Sequence, residues 1–333
     1  MKITVSAPGK IHLMGEHAVV YGKPAVLAAV SQRMYVTVCS RQFAVDSKKE
    51  NFLKELRKKD AFLNAICEIV ENKYQTKLPD VSFSVSSTIP TGSGMGSSAA
   101  FAASTIGALM VFLKKPWDVS LINELTFVAE KHQHGNPSGG DNSVVCFGGL
   151  LWFRREFEFL KTFWLLPMKI PQSFPPIVLV DTGKPEESTG RMVEIVASSF
   201  PSRVNEFPFQ GKRVSKSRKQ RILEEIEEET KQVVLGIHDE DEDRFLTAIK
   251  KGEGLLEGLG VVCQKTKEFI RAIEKKGGVG KISGAGGIKA GSGIVLCMHK
   301  NPQEIKDIAK QFGFPLFSTL LGQPGVRVEK ISV

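Results

Sequence analysis

The chain has 333 residues, 42% of them hydrophobic, which is enough for one large or two ordinary domains. Its five cysteines are scattered and include no CxxC pair, which argues against a disulfide framework or a zinc site and favours reduced thiols in the cytoplasm. Its longest apolar run, residues 99–113, is too short to span a bilayer and no secretory signal is visible, so we expect no membrane partner. The formal net charge of +9 suits a site for polyanionic substrates, and without an RRM, KH or zinc motif we expect no nucleic-acid partner.

Hydrophobic spacing in the first half of the chain predicts a mixture of strands and helices. Alternating apolar residues predict strands at residues 3–5, 35–39, 81–85, 149–154 and 163–168. Apolar residues at helical spacing predict helices over residues 52–74 and 99–113, and a third helix that begins near Asp118 or Ser120 and ends before Gly135.

The proline-rich stretch at residues 167–176 is the best candidate for a domain boundary, and it divides the chain into predicted domains 1–172 and 173–333. Beyond it, the pattern predicts strands at residues 177–180, near 281, at 294–298 and at 326–331, and helices at 215–235, 266–276 and 302–312. An order of strand, helices, two strands, helix and strand is typical of a ferredoxin-like fold with an expanded first crossover. The predicted fold class is therefore α+β.

The most informative segment is PTGSGMGSSAA, residues 90–100, which lies between a predicted strand and a predicted helix. Three closely spaced glycines leave the backbone N–H groups bare, and the following helix directs the positive end of its dipole at them. The loop lacks the lysine of GxxxxGK[ST] and the spacing of GxGxxG. It predicts phosphate binding; the alternative is a tight turn that packs a helix against a sheet.

Two further motifs accompany the glycine loop, APGKIHLMGEHAVVYGKPAV at residues 7–26 and KISGAGGIKAGSGIVL at residues 281–296. In this order the three motifs resemble the GHMP kinase superfamily over nearly the whole chain. Within it, GEHAVVYGKPA and HGNPSGGDN, residues 134–142, are similar to the mevalonate kinases. The resemblance implies a two-domain architecture with a ferredoxin-like C-terminal half, and a kinase that uses ATP and Mg²⁺ to phosphorylate the 5-hydroxyl of mevalonate. Members of this family are often homodimers.

The resemblance also implies which residues hold the nucleotide and the metal. The predicted nucleotide-binding residues are Pro90, Gly92, Ser93, Gly94, Met95, Gly96, Ser97, Ser98 and Ala99. Ser98 and Glu130 are the predicted Mg²⁺ ligands. From the sequence alone Ser97 and Ser98 are not distinguished as the metal ligand, and helix capping is the alternative role for either. For Glu130 the alternative is an ordinary surface carboxylate.

For the reaction itself, the resemblance assigns Asp141 as the catalytic base and places Lys10 beside it, where an ammonium group stabilises charge on the transferred phosphoryl group. The alternatives are a turn residue for Asp141 and a surface lysine for Lys10. The predicted contacts with the acceptor substrate come from Lys10, Glu16, His17, Asp141, Gly284, Ala285 and Gly286. A packed core histidine is the alternative for His17.

The third motif departs from the family pattern, because Ile288, Lys289 and Ala290 interrupt the usual run of glycines, and we expect Lys289 to be a solvated loop residue. The segment DTGKPEEST, residues 181–189, resembles one near the active site in mevalonate kinases, but a simple turn explains it equally well. The alternative functions are a GHMP kinase for phosphomevalonate, homoserine or a sugar, and a catalytically silent ATP-binding protein of the same fold.

Overall fold

Two antiparallel sheets with flanking helices make up the fold, and this confirms the α+β prediction. The computed structural model describes residues 1–40, 52–90, 92–135, 137–157, 160–198 and 218–332. The strands are β1 (Lys2–Met14), β2 (Pro24–Cys39), β3 (Ser82–Ser87), β4 (Leu150–Arg155), β5 (Lys161–Leu166), β6 (Ile177–Asp181), β7 (Val279–Ser283), β8 (Ile294–Met298), β9 (Leu316–Ser318) and β10 (Arg327–Ser332). The helices are α1 (Leu53–Lys59), α2 (Ala61–Tyr74), α3 (Ser97–Phe112), α4 (Val119–His134), α5 (Gly140–Phe147), α6 (Thr189–Ala197), α7 (Arg218–His238), α8 (Glu242–Leu259), α9 (Gln264–Lys275) and α10 (Pro302–Phe312).

The first sheet has the strand order β10-β1-β2-β4-β5, with β3 also paired to β2. Its strand β1 continues well past the predicted residues 3–5, through Pro8 and Gly9, and its pairing with β2 shifts register between Pro8 and Lys10. A bulge of this kind redirects the backbone and the side chain next to it. Here it lets the Lys10 N–H bond the Met95 carbonyl oxygen at 2.9 Å, outside the sheet.

Helix α3 lies in the core of the first half, packed against β1, β2 and α4. Its Ala-rich sequence is apolar on every face, as expected for a helix enclosed on all sides. The buried hydroxyl of Ser104 donates to the Ala100 carbonyl oxygen at 2.6 Å, so this polar group is satisfied inside the helix. The burial of α3 fixes the position of the glycine loop at its N-terminus.

The second sheet has the order β7-β8-β6-β9, which is the ferredoxin-like arrangement. The predicted last strand at residues 326–331 exists as β10, but its assignment to this sheet is wrong: β10 pairs with β1, and the short β9 is the fourth strand. Strand propensity does not reveal which distant edge a strand will cover, and β9 has only three residues. The boundary at residues 172 and 173 lies between β5 and β6 and stays a prediction.

The predicted helix over residues 52–74 is divided into two, because Asp60 is extended and caps α2 by accepting from the N–H groups of Phe62 and Leu63. The hydrophobic pattern also did not predict α5, α6 or α8. Helix α7 matches the predicted helix at 215–235 from residue 218 onward. The start of that prediction, residues 215–217, lies outside the described residues, and so do Thr91 and Asn136 of the motifs. Within the described residues, none of the helices has the length and apolar character needed to cross a membrane.

Candidate active site

The glycine loop has an open backbone that faces the first turn of α3. Gly92, Gly94 and Gly96 have φ angles of 73°, 78° and 70°, a region that residues with a β-carbon avoid. Gly96 occupies the N-cap of α3 and no side chain caps the helix, so the N–H groups of its first turn remain available to an anion. Neither Ser97 nor Ser98 is the cap, which removes the capping alternative for both.

Lys10 and Asp141 form an ion pair beside this loop, with Lys10 Nζ 3.1 Å from Asp141 Oδ1. Lys10 is 4% exposed and lies against Gly96, where a β-carbon would be only 2.8 Å from Lys10 Cγ. Asp141 lies in the first turn of α5 and is partly open to solvent. The pair therefore combines a buried cation with an accessible carboxylate at one end of the glycine loop.

Ser98, in the first turn of α3, meets Glu130 of α4. The Ser98 hydroxyl donates to Glu130 Oε2 at 3.2 Å and also lies 3.2 Å from His134 Nε2. Glu130 is 3% exposed, and burial, together with the Asp141 carboxylate, raises the pKa of Glu130 to about 7. Its second oxygen, Oε1, is buried without a hydrogen-bond partner in the described structure. The environment of Glu130 thus excludes the alternative of an ordinary surface carboxylate.

This pair of oxygen donors fits a hard cation. A hydroxyl and a buried carboxylate with an unpartnered oxygen are ligands that Mg²⁺ prefers, and Mg²⁺ commonly takes its remaining ligands from phosphates and water. In the part of the chain that the structure describes, no group of three or more His, Cys, Asp or Glu side chains gathers as a metal cluster. Ser98 and Glu130 are therefore the candidate metal ligands of the described residues.

A second group of charged residues lies where the segment after β1 meets the second sheet. The ammonium group of Lys281 donates to Glu16 Oε1 and, at 2.8 Å, to the Ile282 carbonyl oxygen. Glu253 on α8 accepts from the Ile282 N–H at 2.8 Å. All three charged side chains are buried, and the Lys281–Glu16 pair attaches the GEHAVVYG segment to the second half of the molecule. The predicted contact of Glu16 with the acceptor stays a prediction.

His17 contacts the third motif directly. Its Nε2 lies 2.9 Å from the Ala285 carbonyl oxygen, and because a carbonyl only accepts, Nε2 carries the proton. Burial lowers the pKa of His17, so the ring is neutral, and its Nδ1 is buried without a partner in the described structure. His17 thus lies at the interface with the GAGG loop, with one acceptor nitrogen unused.

Two residues of the site, His12 and Lys281, have roles that the sequence did not predict. His12 Nδ1 lies 3.4 Å from Lys10 Nζ, and burial, followed by the charges of Lys10 and Lys281, lowers the pKa of His12 well below its usual range. It therefore accepts from the Lys10 ammonium. The available signals were the i, i+2 spacing of Lys10 and His12 on one strand face and the position of Lys281 at the start of KISGAGG.

The third motif folds back on itself beside the glycine loop. A β-carbon on Gly287 would be 2.1 Å from the Gly291 carbonyl oxygen, and one on Gly293 would be 3.4 Å from the Ser93 carbonyl oxygen. Residues 288–290 are exposed between these contacts, and Lys289 Nζ lies 3.6 Å from Glu186 Oε2 at the surface. The departure from the family pattern is thus an outward excursion. Of the predicted acceptor contacts Gly284, Ala285 and Gly286, Ala285 meets His17, and the role of all three stays a prediction.

The sequence of this chain is similar to those of known kinases. The family description "GHMP kinases N terminal domain" matches residues 61–149. The chain is 32% identical to a mevalonate kinase of Pyrococcus horikoshii, over 99% of this chain and 98% of that protein. It is 30% identical to a mevalonate kinase of Thermococcus onnurineus, over 99% of both.

Solved structures share the fold at lower identity. The mevalonate kinase of Methanococcus jannaschii superposes with a TM-score of 0.76 at 20% identity, covering 97% of this chain and 99% of that one. The phosphomevalonate kinase of Streptococcus pneumoniae superposes with a TM-score of 0.71 at 16% identity, covering 96% and 99%. The fold is therefore common to kinases of different acceptors.

Proposed function

Since this chain belongs to the GHMP kinase family, whose members are ATP-dependent small-molecule kinases, we propose that it transfers the γ-phosphoryl group of ATP to the 5-hydroxyl of mevalonate. Its full-length relatives at 30% identity or above are mevalonate kinases, and this favours mevalonate over other acceptors. The observation that carries the proposal is the Lys10–Asp141 pair of 3.1 Å at the end of the glycine loop.

In the proposed reaction the mevalonate hydroxyl oxygen bonds to the γ-phosphorus while the bond from that phosphorus to the β,γ-bridging oxygen breaks, and ADP leaves. Asp141, which is open to solvent on one side, orients the hydroxyl and accepts its proton. Lys10 holds Asp141 and offsets negative charge on the phosphoryl group. His12 positions Lys10 through its neutral Nδ1. Because phosphoryl transfer needs little covalent participation from a protein, positioning by these residues is the main contribution.

On the nucleotide side, the N–H groups of the glycine loop and of the first turn of α3 bind phosphate oxygens. Ser98 and Glu130 would hold Mg²⁺ there. Held by these two residues, the ion would supply positive charge that offsets part of the negative charge of the phosphates. The unpartnered Glu130 Oε1 supports this role, because a buried carboxylate oxygen is costly without a cation or a donor.

On the acceptor side, GEHAVVYG and GAGG meet through His17 and Ala285. The unused Nδ1 of His17 is suited to accept from a hydroxyl of the acceptor, once the substrate has entered.

We further propose that the enzyme is a cytoplasmic homodimer without a nucleic-acid or membrane partner. Size-exclusion chromatography with light scattering tests the dimer.

The deciding experiment measures ADP release from Mg·ATP with mevalonate, and in parallel with phosphomevalonate, homoserine and galactose. Asp141→Asn removes the proton acceptor at constant size, so we expect mevalonate turnover to fall roughly 10²–10⁴-fold. The control Asp239→Asn alters a surface carboxylate beside His238 and should leave turnover unchanged. If only a different acceptor gives turnover, that acceptor replaces mevalonate as the proposed substrate. If the protein binds ATP but turns over none of the acceptors, the catalytically silent binding protein is favoured.

A further inference from the structure

The turn at the start of DTGKPEEST is attached firmly to the third motif. The Thr182 N–H and hydroxyl both donate to the Gly293 carbonyl oxygen, at 3.0 and 2.8 Å, and the Gly293 N–H donates to the Gly183 carbonyl oxygen at 3.0 Å. Gly293 in turn lies next to the Ser93 carbonyl oxygen of the glycine loop. The backbone at residue 184 is therefore held at a defined place relative to that loop.

From this turn, the side chain of Lys184 extends over Gly92. Its Cδ and Cε lie 3.5 and 3.8 Å from the place that a β-carbon on Gly92 would occupy. The neighbouring acids are engaged elsewhere, because Glu186 pairs with Lys289 and Glu187 accepts from the Ile288 N–H at 3.3 Å. In the described portion of the chain, the Lys184 ammonium has no carboxylate within ion-pairing distance.

The glycine loop consequently has a lysine at each end, Lys10 against Gly96 and Lys184 over Gly92, but only Lys10 is paired with an acid among the residues described. A lysine with no carboxylate partner among the described residues, whose side chain lies over a glycine loop of this kind, is an arrangement that attracts phosphate. Lys10 lies at the reacting end with Asp141. Lys184, which belongs to the second half of the chain, lies at the opposite end of the loop.

We propose that Lys184 binds the part of the nucleotide polyphosphate that leaves with ADP, so that residues of both halves hold the nucleotide. This inference rests on the proposed function, because it assumes that the glycine loop binds ATP. It separates two roles: Lys10 acts on the transferred group, and Lys184 contributes binding that is equal in the ground state and the transition state.

The test compares Lys184→Met and Lys184→Arg with the wild type. Lys289→Met is the matched control, because it removes an exposed lysine from the adjacent loop that already has the partner Glu186. Calorimetry gives the Kd for Mg·ADP and Mg·ATP, and steady-state kinetics give KM and kcat. We expect Lys184→Met to raise both Kd values and the KM for ATP roughly tenfold with kcat nearly unchanged, the pattern of lost uniform binding.

Lys184→Arg keeps the charge and should stay within about threefold of the wild type, as should Lys289→Met. If Lys184→Met and Lys289→Met have the same Kd for the nucleotides, while the wild type binds ATP and turns over, the inference is overturned but the proposed kinase function stands. A wild type that binds neither nucleotide would overturn the proposed function and the inference with it.

Discussion

At the scale of single residues, Gly96 determines where Lys10 lies. Its φ is 70°, and a β-carbon at this position would lie 2.8 Å from Lys10 Cγ, so there is no room for a side chain. Any larger residue must therefore displace Lys10 from Asp141 or strain the loop.

We expect Gly96→Ala to lower kcat by roughly tenfold or more, since a misplaced cation loses its effect on the reacting group, while costing only about 1 kcal/mol of stability. Gly254→Ala is the control, because Gly254 lies within α8 with nothing near its β-carbon position, and alanine favours a helix. Turnover and the thermal midpoint are measured for both. An unchanged kcat in Gly96→Ala would show that Lys10 tolerates displacement.

Glu253 makes the stability of the protein depend on pH. Burial raises the pKa of Glu253 from 4.5 to about 7, while Lys281 opposes this and Glu257 and Glu16 add to it. The folded state therefore binds this proton more tightly than the unfolded state. The resulting stability is present in full below about pH 4.5 and is lost as the pH rises through about 7.

Replacement of Glu253 by glutamine removes this dependence but keeps an acceptor for the Ile282 N–H. We expect the loss of unfolding free energy between about pH 5 and pH 8 to be smaller in Glu253→Gln than in the wild type, by on the order of 2–3 kcal/mol. Denaturant titrations at both pH values measure it. Glu228→Gln, at the surface beside Lys231, should retain the wild-type slope; equal slopes in all three proteins would contradict the prediction.

At the scale of elements, the interruption between α1 and α2 depends on one side chain. Asp60 Oδ1 accepts from the N–H groups of Phe62 and Leu63, both at 3.0 Å. These donors are among those that a helix N-terminus leaves unsatisfied. Asp60 is therefore the reason that α2 begins where it does.

Asp60→Ala should lower the free energy of unfolding by about 1 kcal/mol, because it removes the cap. Asp60→Ser retains an acceptor oxygen and should recover most of that loss. Chemical denaturation followed by circular dichroism measures both. If alanine and serine destabilise equally, the cap is not what holds the start of α2.

At the scale of the whole molecule, Arg33 joins the segment before β10, at Pro324 and Gly325, to the first sheet. Its guanidinium group donates to the carbonyl oxygens of Ser6, Pro324 and Gly325, at 3.2, 2.7 and 2.7 Å. Arg33 is buried next to β1, the strand that β10 covers. The planar fork of arginine matches several acceptors at once, which one ammonium group does not.

Arg33→Lys should therefore lower the free energy of unfolding by roughly 2–4 kcal/mol, because buried carbonyl oxygens lose their donors. The matched control is Arg327→Lys on β10, where the arginine is exposed and pairs with Glu329, and the expected loss is below about 1 kcal/mol. Thermal and urea unfolding report both changes. A loss in Arg33→Lys no larger than in the control would show that β10 is held by its strand pairing alone.

The site was predictable to the extent that it consists of short motifs. The glycine loop, Lys10 and Asp141 each lie in a compact string whose residue types suit phosphate and proton chemistry, and the structure brings them within contact distance. His12 and Lys281 were missed because their roles depend on partners elsewhere in the fold. Lys281 meets Glu16 across 265 positions of sequence, a contact that no local pattern indicates.

The sequence by itself determined the fold class, the family and most of the predicted elements, because hydrophobic period and motif spacing are local properties. Only the tertiary structure decided that β10 covers β1, that β9 completes the second sheet and that Lys184 lies over Gly92. These contacts join segments that are distant along the chain. Their choice depends on burial and on hydrogen-bond satisfaction in the whole fold, which no single segment specifies.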